Sequence, residues 1–114
     1  MTKPTQPSRA QQLVGDVTPK LAELTDEVLF GDVWARPELA PRDRSLITVA
    51  ALIANGNTEQ LSSHLALALK NGVTETELSE VITHLAFYTG WPRAMSAAPV
   101  ARNVFTAAKE ATSC

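Results

Sequence analysis

The sequence has few of the residues on which several common protein chemistries depend. Its one cysteine, Cys114, is the last residue, so the chain cannot form an internal disulfide, a CxxC redox pair or a thiolate metal site. Lys and Arg number 10 against 12 Asp and Glu, which gives a formal charge of -2, and there is no basic run. We therefore expect neither nucleic acid nor an anionic membrane surface as a partner.

Long apolar segments are also missing. The first residues, MTKPTQPSRAQQ, contain no apolar stretch that could act as a signal peptide. The longest apolar run, residues 46–54, is far shorter than the about 20 residues of a membrane span. These absences predict a cytoplasmic protein.

Aromatic residues make up only 5% of a chain that is 45% hydrophobic. Because β-sheets prefer aromatic and β-branched residues, a sequence rich in Ala and Leu favours helices. The 114 residues suit one core. We predict a flexible N-terminal arm over residues 1–10 and a single domain over residues 11–114. The fold class is all-α, a compact antiparallel bundle of about six helices.

Local signals predict where several helices begin. Thr18 and Pro19 are expected to begin one helix, with Thr18 as its N-cap, and Thr58 is expected to cap another. Thr74 and Glu77 have the spacing of a capping box, in which each residue bonds the backbone of the other.

Two helices have unusual compositions. Residues 46–54 are apolar on every side, which predicts the most buried helix of the bundle. The last helix begins near Pro92, and Pro99 is expected to kink or restart it. Its predicted inward stripe consists mainly of small residues: Ala94, Ala97, Ala98, Ala101, Val104, Phe105 and Ala108.

Two histidines are candidate proton donors. His64 follows Leu61 by three positions, so it is expected to face inward or towards an interface; His84 flanks another apolar stripe and is also expected to point inward. Two such histidines could share a pocket. Position alone favours a core imidazole satisfied by a carbonyl for His64. Without an inward carboxylate nearby the pair is an incomplete metal site, so we expect no metal.

Arginines and large aromatic residues complete the candidate pocket. Arg44 precedes the most apolar segment and could receive a carboxylate through two hydrogen bonds, although an internal pair with an acid remains an alternative. For Arg36 and Arg93 simple solvation is the plainer interpretation. Trp34 and Trp91 flank helices and could wall a pocket or cap the core.

The residues alone predict no cofactor. The chain has no glycine-rich phosphate loop, no serine nucleophile elbow and no paired-carboxylate motif. The residues therefore indicate a helical domain with a pocket that contains histidine and arginine.

A series of short motifs in fixed order adds a family resemblance. Residues 33–37 read VWARP, 44–46 read RSL, and 71–74 read NGVT, with His64 before the last of these. His84, Tyr88, Gly90 and Pro92 follow. Over residues 31–105 the sequence resembles the carboxymuconolactone decarboxylase family, within the alkylhydroperoxidase D-like superfamily.

The resemblance separates two branches of that superfamily. The peroxidase branch carries CxxC followed four residues later by histidine. Counting back from His64, those cysteines would stand at Asn57 and Gln60, neither of which forms a thiolate. The resemblance therefore implies no dithiol peroxidase activity.

Resemblance to the other branch implies a cofactor-independent decarboxylase, a carbon–carbon lyase acting on a small carboxylated lactone or related acid. Arg36 and Arg44 would hold carboxylates, while His64 and His84 would supply the proton and an oxyanion contact. Isomerisation, lactone processing, or a non-catalytic oligomer that binds a small acid are the alternatives. Trp34, Tyr88, Trp91 and Arg93 are the other residues expected to bind substrate.

The sequence departs from the family pattern at one turn, and the resemblance also carries an expectation about self-association. Asn55-Gly56-Asn57 stands where such proteins often read Leu-Gly-Arg, and Arg93 is expected to replace the missing charge. The family habit of self-association implies a homo-oligomer, a trimer or a hexamer.

Overall fold

Helices form all the regular secondary structure in residues 6–112, the part of the chain that this computed structural model describes. This confirms the predicted all-α class of about six helices. The α-helices are α1 (Arg9–Val14), α2 (Pro19–Leu24), α3 (Pro41–Asn55), α4 (Thr58–Lys70), α5 (Glu75–Thr89) and α6 (Trp91–Thr112), with a π-helical segment over Thr25–Phe30 and a 3-10 turn over Val33–Ala35.

The chain divides into two units between Ala40 and Pro41. The first unit contains α1, α2, the π-helical segment and the 3-10 turn, and the second contains α3 to α6. The single domain predicted over residues 11–114 stays a prediction. So does the flexible arm over 1–10, of which residues 1–5 lie outside the described residues; α1 already begins at Arg9. Cys114 also lies outside them.

Ser8 organises the start of the first unit. Its Oγ atom accepts a hydrogen bond from the Gln11 amide at 3.1 Å, which caps α1, and donates to Asp26 Oδ2 at 2.7 Å. The predicted side-chain cap by Thr18 at the start of α2 is wrong. The Thr18 hydroxyl donates instead to the Val14 carbonyl at 3.2 Å. Pro19 does begin the helix.

In the second unit, α3 packs against α4, α5 and α6, while α6 also packs against α4 and α5. The fully buried side chains come from successive turns along the facing sides of the helices, as is typical of amphipathic helices. They include Val49 and Ile53 of α3, Leu61 and Leu65 of α4, and Leu78 of α5.

The burial of α3 differs from the prediction. Ser45, Val49 and Ile53 lie on one buried face, but Ile47 is 59% exposed and Ala51 is exposed. The helix predicted to be the most buried of the bundle is therefore buried on one face only. The neighbouring helices cover one face, and the apolar residues of the opposite face remain at the surface.

The predicted capping box at α5 is present. Thr74 Oγ1 accepts from the Glu77 amide at 3.0 Å, and Glu77 Oε1 accepts from the Thr74 amide at 2.9 Å. Thr58, by contrast, is the first helical residue of α4, and the cap position belongs to Asn57, whose side chain makes no capping bond.

The last helix is continuous through Pro99, so the predicted restart does not occur. Pro99 is exposed, which leaves the carbonyl that loses its amide partner on the solvated side of the helix. Ala94, Ala97, Ala101 and Val104 are buried as predicted, whereas Ala98 is exposed.

Candidate functional site

His64 lies on α4 between the fully buried Leu61 and Leu65. The residue is half-buried, and its Nδ1 atom is shielded from solvent. This position agrees with the predicted inward orientation. An imidazole with one nitrogen inside the protein and part of its surface open to solvent can give a proton to a bound molecule.

The start of α3, with Arg44 and Ser45, lies beside the turn after α4. Arg44 is half-buried, and its carbonyl accepts a hydrogen bond from Thr48 Oγ1 at 2.7 Å. Ser45 is fully buried, and its Oγ accepts from Asn71 Nδ2 at 3.0 Å. Because a buried polar atom is costly without a partner, this bond fixes the NGVT turn against α3.

Arg93 lies in the first turn of α6, and its guanidinium reaches Gly56 in the turn between α3 and α4. A Cβ atom added to Gly56 would overlap Arg93 Nη1. Gly56 adopts a φ of 72°, a conformation that glycine accepts most readily. Arg93 therefore brings a positive charge to the turn whose own sequence, Asn55-Gly56-Asn57, has none.

His84 is exposed on α5, so the predicted inward orientation is wrong for it. Its ring stacks on Tyr88 one turn later, with centroids 4.8 Å apart. His84 lines an open groove of about 450 Å³ between α3 and α5, and His64 is not among the residues of that groove. The lining is otherwise apolar apart from two acids, Glu77 and Glu80. An anionic molecule is poorly suited to such a groove.

Arg42 and Glu77 form an ion pair between the first turns of α3 and α5. The hydrogen bond from the Thr74 amide, followed by that from Arg42, lowers the pKa of Glu77 from its usual value. The same pair raises the pKa of Arg42. Sequence reasoning missed Arg42, because no local spacing connects positions 42 and 77.

A second open groove of about 410 Å³ lies between α5 and α6, and it also escaped sequence reasoning. Three hydroxyl residues and two cations are among its lining: Ser79, Thr83, Thr106, Arg102 and Lys109. Lys109 Nζ lies 3.6 Å from Glu75 Oε1, a mainly exposed contact that contributes little to stability.

Trp34 and Arg36 belong to the first unit. Trp34 is half-buried in the 3-10 turn, and its ring centroid lies 5.7 Å from that of Phe30. Arg36 is exposed, with its Nε atom 3.6 Å from Glu38 Oε1. The other predicted site residues all belong to the second unit.

Trp91 and Tyr88 lie at the junction of α5 and α6. Trp91 packs edge-on against Phe87 at a centroid distance of 5.4 Å. All three rings are exposed, as is Met95. Within this chain they form an aromatic surface rather than the predicted wall of an enclosed pocket.

The described part of the chain has neither a cluster of metal ligands nor a helix that could cross a membrane. Within residues 6–112, no three His, Cys, Asp or Glu side chains come together as metal ligands would. None of the helices there combines the length and the apolar character needed to cross a membrane.

The four packed helices, with a half-buried histidine on α4, an arginine in the first turn of α3 and the NGVT turn tied to Ser45, define an all-α domain of the type suggested by the sequence motifs. The carboxymuconolactone decarboxylase family model matches residues 19–103. The chain belongs to this family.

Individual relatives agree with the family match. Over 98 residues the chain is 36% identical to a 4-carboxymuconolactone decarboxylase of Acinetobacter baylyi. These residues make up 86% of this chain and 73% of the relative. Over 75 residues it is 40% identical to a nitrosuccinic acid decarboxylase of Metarhizium robertsii, covering 66% of this chain and about half, 52%, of that relative. The predicted resemblance to a carboxymuconolactone decarboxylase-like enzyme is confirmed.

A third relative has no activity in its name. It is an uncharacterized 15.0 kDa protein of Paracoccus denitrificans, 30% identical over 81 residues, which cover 69% of this chain and 60% of the relative.

Proposed function

We propose that the chain is a cofactor-independent decarboxylase acting on a small carboxylated lactone or a related acid. The observation that carries the proposal is that two relatives, at 36% and 40% identity, are named decarboxylases of two different acids. The reaction is common to both names and the acid differs, so the reaction type transfers to this chain more securely than either substrate.

The two named substrates have one chemical property in common. Each is an acid with a second electron-withdrawing group, a lactone in one name and a nitro group in the other. When the bond to the carboxylate breaks, CO2 leaves and its bonding electrons move into that group; a proton then adds to the carbon. Because the substrate accepts its own electrons, the protein needs only to bind the anion, stabilise the developing charge and supply the proton.

We assign anion binding in the second unit to two separate arginines: Arg44 in the first turn of α3, and Arg93 at the turn that follows the other end of this helix. Arg44 is half-buried next to the fully buried Ser45, so water screens its charge less than that of an exposed arginine. Arg93 brings its guanidinium to Gly56. A planar guanidinium can bind a carboxylate through two parallel hydrogen bonds.

His64 is the residue we assign to proton delivery. It is half-buried with a shielded Nδ1, whereas His84 is exposed in a groove with two acidic side chains. The two acids beside His84 repel a negatively charged substrate, which favours the environment of His64. The other residues expected at the site have no role in this assignment, because they are exposed or belong to the first unit: His84, Tyr88, Trp91, Arg36 and Trp34.

Turnover of a panel of acids tests the proposal. The purified chain is incubated with 4-carboxymuconolactone and with nitrosuccinic acid, while CO2 release and the product are followed by NMR. We expect one CO2 per molecule consumed and one solvent deuteron on the product carbon when the reaction is run in D2O. Binding of both acids without CO2 release would instead indicate a small-acid-binding protein, and a product that retains its carboxylate would indicate an isomerase.

A further inference from the structure

The side chain of Arg93 occupies the space that a side chain at position 56 would need. An ideal Cβ on Gly56 would lie 2.9 Å from Arg93 Cζ and 3.6 Å from Arg93 Cδ, and it would overlap Nη1. All three of its nearest atoms belong to Arg93. An alanine there would meet the far end of a flexible side chain, so it would displace the guanidinium and leave the backbone of the turn in place.

The charge of Arg93 has no partner in the part of the chain that the structure describes. No described residue forms an ion pair or hydrogen bond with its side chain. The first turn of α6 contains no acid, and the helix dipole disfavours a cation at that end. The turn it reaches, residues 53–58, contains no acid either. Helix stability and internal pairing therefore do not explain the position of Arg93.

We propose that Arg93 forms a carboxylate-binding subsite at the turn between α3 and α4, and that Gly56 determines the position of the guanidinium. The inference rests on the proposed function in taking the ligand to be a small organic acid. Arg93 is exposed, so a ligand can reach it, and its neighbours across the turn, Asn55 and Asn57, are neutral amides that do not compete for its charge. The fork of the guanidinium suits a planar carboxylate.

Gly72 provides a matched control for Gly56. Both glycines have a positive φ, 72° at Gly56 and 100° at Gly72, so alanine is conformationally unfavourable at either position. A Cβ on Gly72 meets nothing within 4 Å. Gly56→Ala and Gly72→Ala therefore both have a backbone penalty, which is larger at Gly72 because its φ lies further outside the left-handed region, and only Gly56→Ala displaces Arg93.

The experiment is a titration with succinate, a dicarboxylate probe, followed by NMR. We expect Gly56→Ala and Arg93→Met each to weaken binding by roughly tenfold to a hundredfold, the loss expected for a hydrogen bond to a charged group. Gly72→Ala should bind succinate within about twofold of the unchanged chain, since this substitution leaves the guanidinium of Arg93 in place. The double variant, Gly56→Ala with Arg93→Met, should bind no more weakly than Arg93→Met alone.

Two results would overturn the inference. Unchanged succinate binding by Arg93→Met would remove the subsite, and equal binding by Gly56→Ala and Gly72→Ala would remove the role of Gly56. If Gly56→Ala does not fold, Gly56→Asn replaces it, because asparagine tolerates positive φ and still places a Cβ on the guanidinium.

The titration is independent of turnover. Arginine-dependent succinate binding without CO2 release would support the subsite and reject the decarboxylase. CO2 release together with unchanged succinate binding by Gly56→Ala and Arg93→Met would support the decarboxylase and reject the subsite. With the substrate itself, Gly56→Ala is expected to raise KM more than it lowers kcat, as removal of a binding contact does.

Discussion

Glu77 has a different partner for each of its carboxylate oxygens. Oε1 accepts hydrogen bonds from the amide and hydroxyl of Thr74, and Oε2 pairs with Arg42. The first interaction could be predicted because the residues stand three apart and the capping box is a local pattern. The second could not, because positions 42 and 77 meet only when α3 packs against α5.

This arrangement predicts a pH-dependent stability. Because the pKa of Glu77 is lowered from its usual 4.5 on folding, the ionised carboxylate stabilises the fold above that pH. The stabilisation is lost as the pH falls through the lower, folded-state pKa. We expect Glu77→Gln to melt below the unchanged chain at pH 7, with a difference in Tm that narrows steadily in acid.

Thermal melts from pH 7 to pH 3 provide the measurement. Glu23→Gln is the control, because Glu23 is also a surface carboxylate and its contact with Lys20, at 3.3 Å, is exposed. A Tm difference for Glu77→Gln that stays constant across this range would contradict the linkage.

At the residue scale, His64 and His84 show how far a sequence pattern reaches. Both flank apolar stripes, and periodicity predicted that both point inward. His64 is half-buried and His84 is exposed, because a position beside a stripe is covered only if a neighbouring helix lies on that side. Which flank is covered depends on the packing of the whole unit.

Among the elements, α3 shows the same limit most clearly. Its segment 46–54 is apolar on every side and was predicted to be the most buried of the bundle, yet only the face with Ser45, Val49 and Ile53 is buried. The composition of a helix shows how apolar it is. Which of its apolar residues are buried depends on where the neighbouring helices pack. Some helix starts were more predictable, since Pro19 and the Thr74 box act locally, although Thr18 and Thr58 do not cap as predicted.

Two isoleucines on α3 test this directly. Ile53 is 1% exposed and Ile47 is 59% exposed. We expect Ile53→Ala to lower the free energy of unfolding by about 2–5 kcal/mol, because it leaves a cavity in the core. Ile47→Ala should change it by less than about 0.5 kcal/mol, as is usual for a surface position.

Urea unfolding at one protein concentration compares the two variants. The residue type and the helix are the same, so the difference in free energy reports burial. Equal losses for both variants would mean that α3 is covered on every side.

At the scale of the whole molecule, the family and the all-α class were predictable because they depend on motifs spread along the chain. The grooves were not, since they arise where separate helices meet. The position of Arg93 at the turn with Gly56 was expected from the family resemblance alone. The same packing leaves large apolar side chains at the surface of the second unit: Ile47, Phe87, Tyr88, Trp91 and Met95.

The exposed residues at the junction of α5 and α6, Phe87, Tyr88, Trp91 and Met95, support the prediction that the chain self-associates. Clustered apolar surface of this kind is typical of interfaces between subunits. We expect light scattering at micromolar concentration to give the mass of three or six copies of the 12.2 kDa chain. A mass of one copy would contradict the prediction.

CO2 release from 4-carboxymuconolactone by the unchanged chain and by His64→Ala is the most direct test of the proposed reaction. Ser63→Ala, one residue away on α4, is the control for changes in the helix itself. We expect the unchanged chain and Ser63→Ala to release CO2, and His64→Ala, still folded by its melting curve, to do so at least about a hundredfold more slowly, the usual loss for a general acid. Full CO2 release by a folded His64→Ala would contradict the assignment of proton delivery to this histidine.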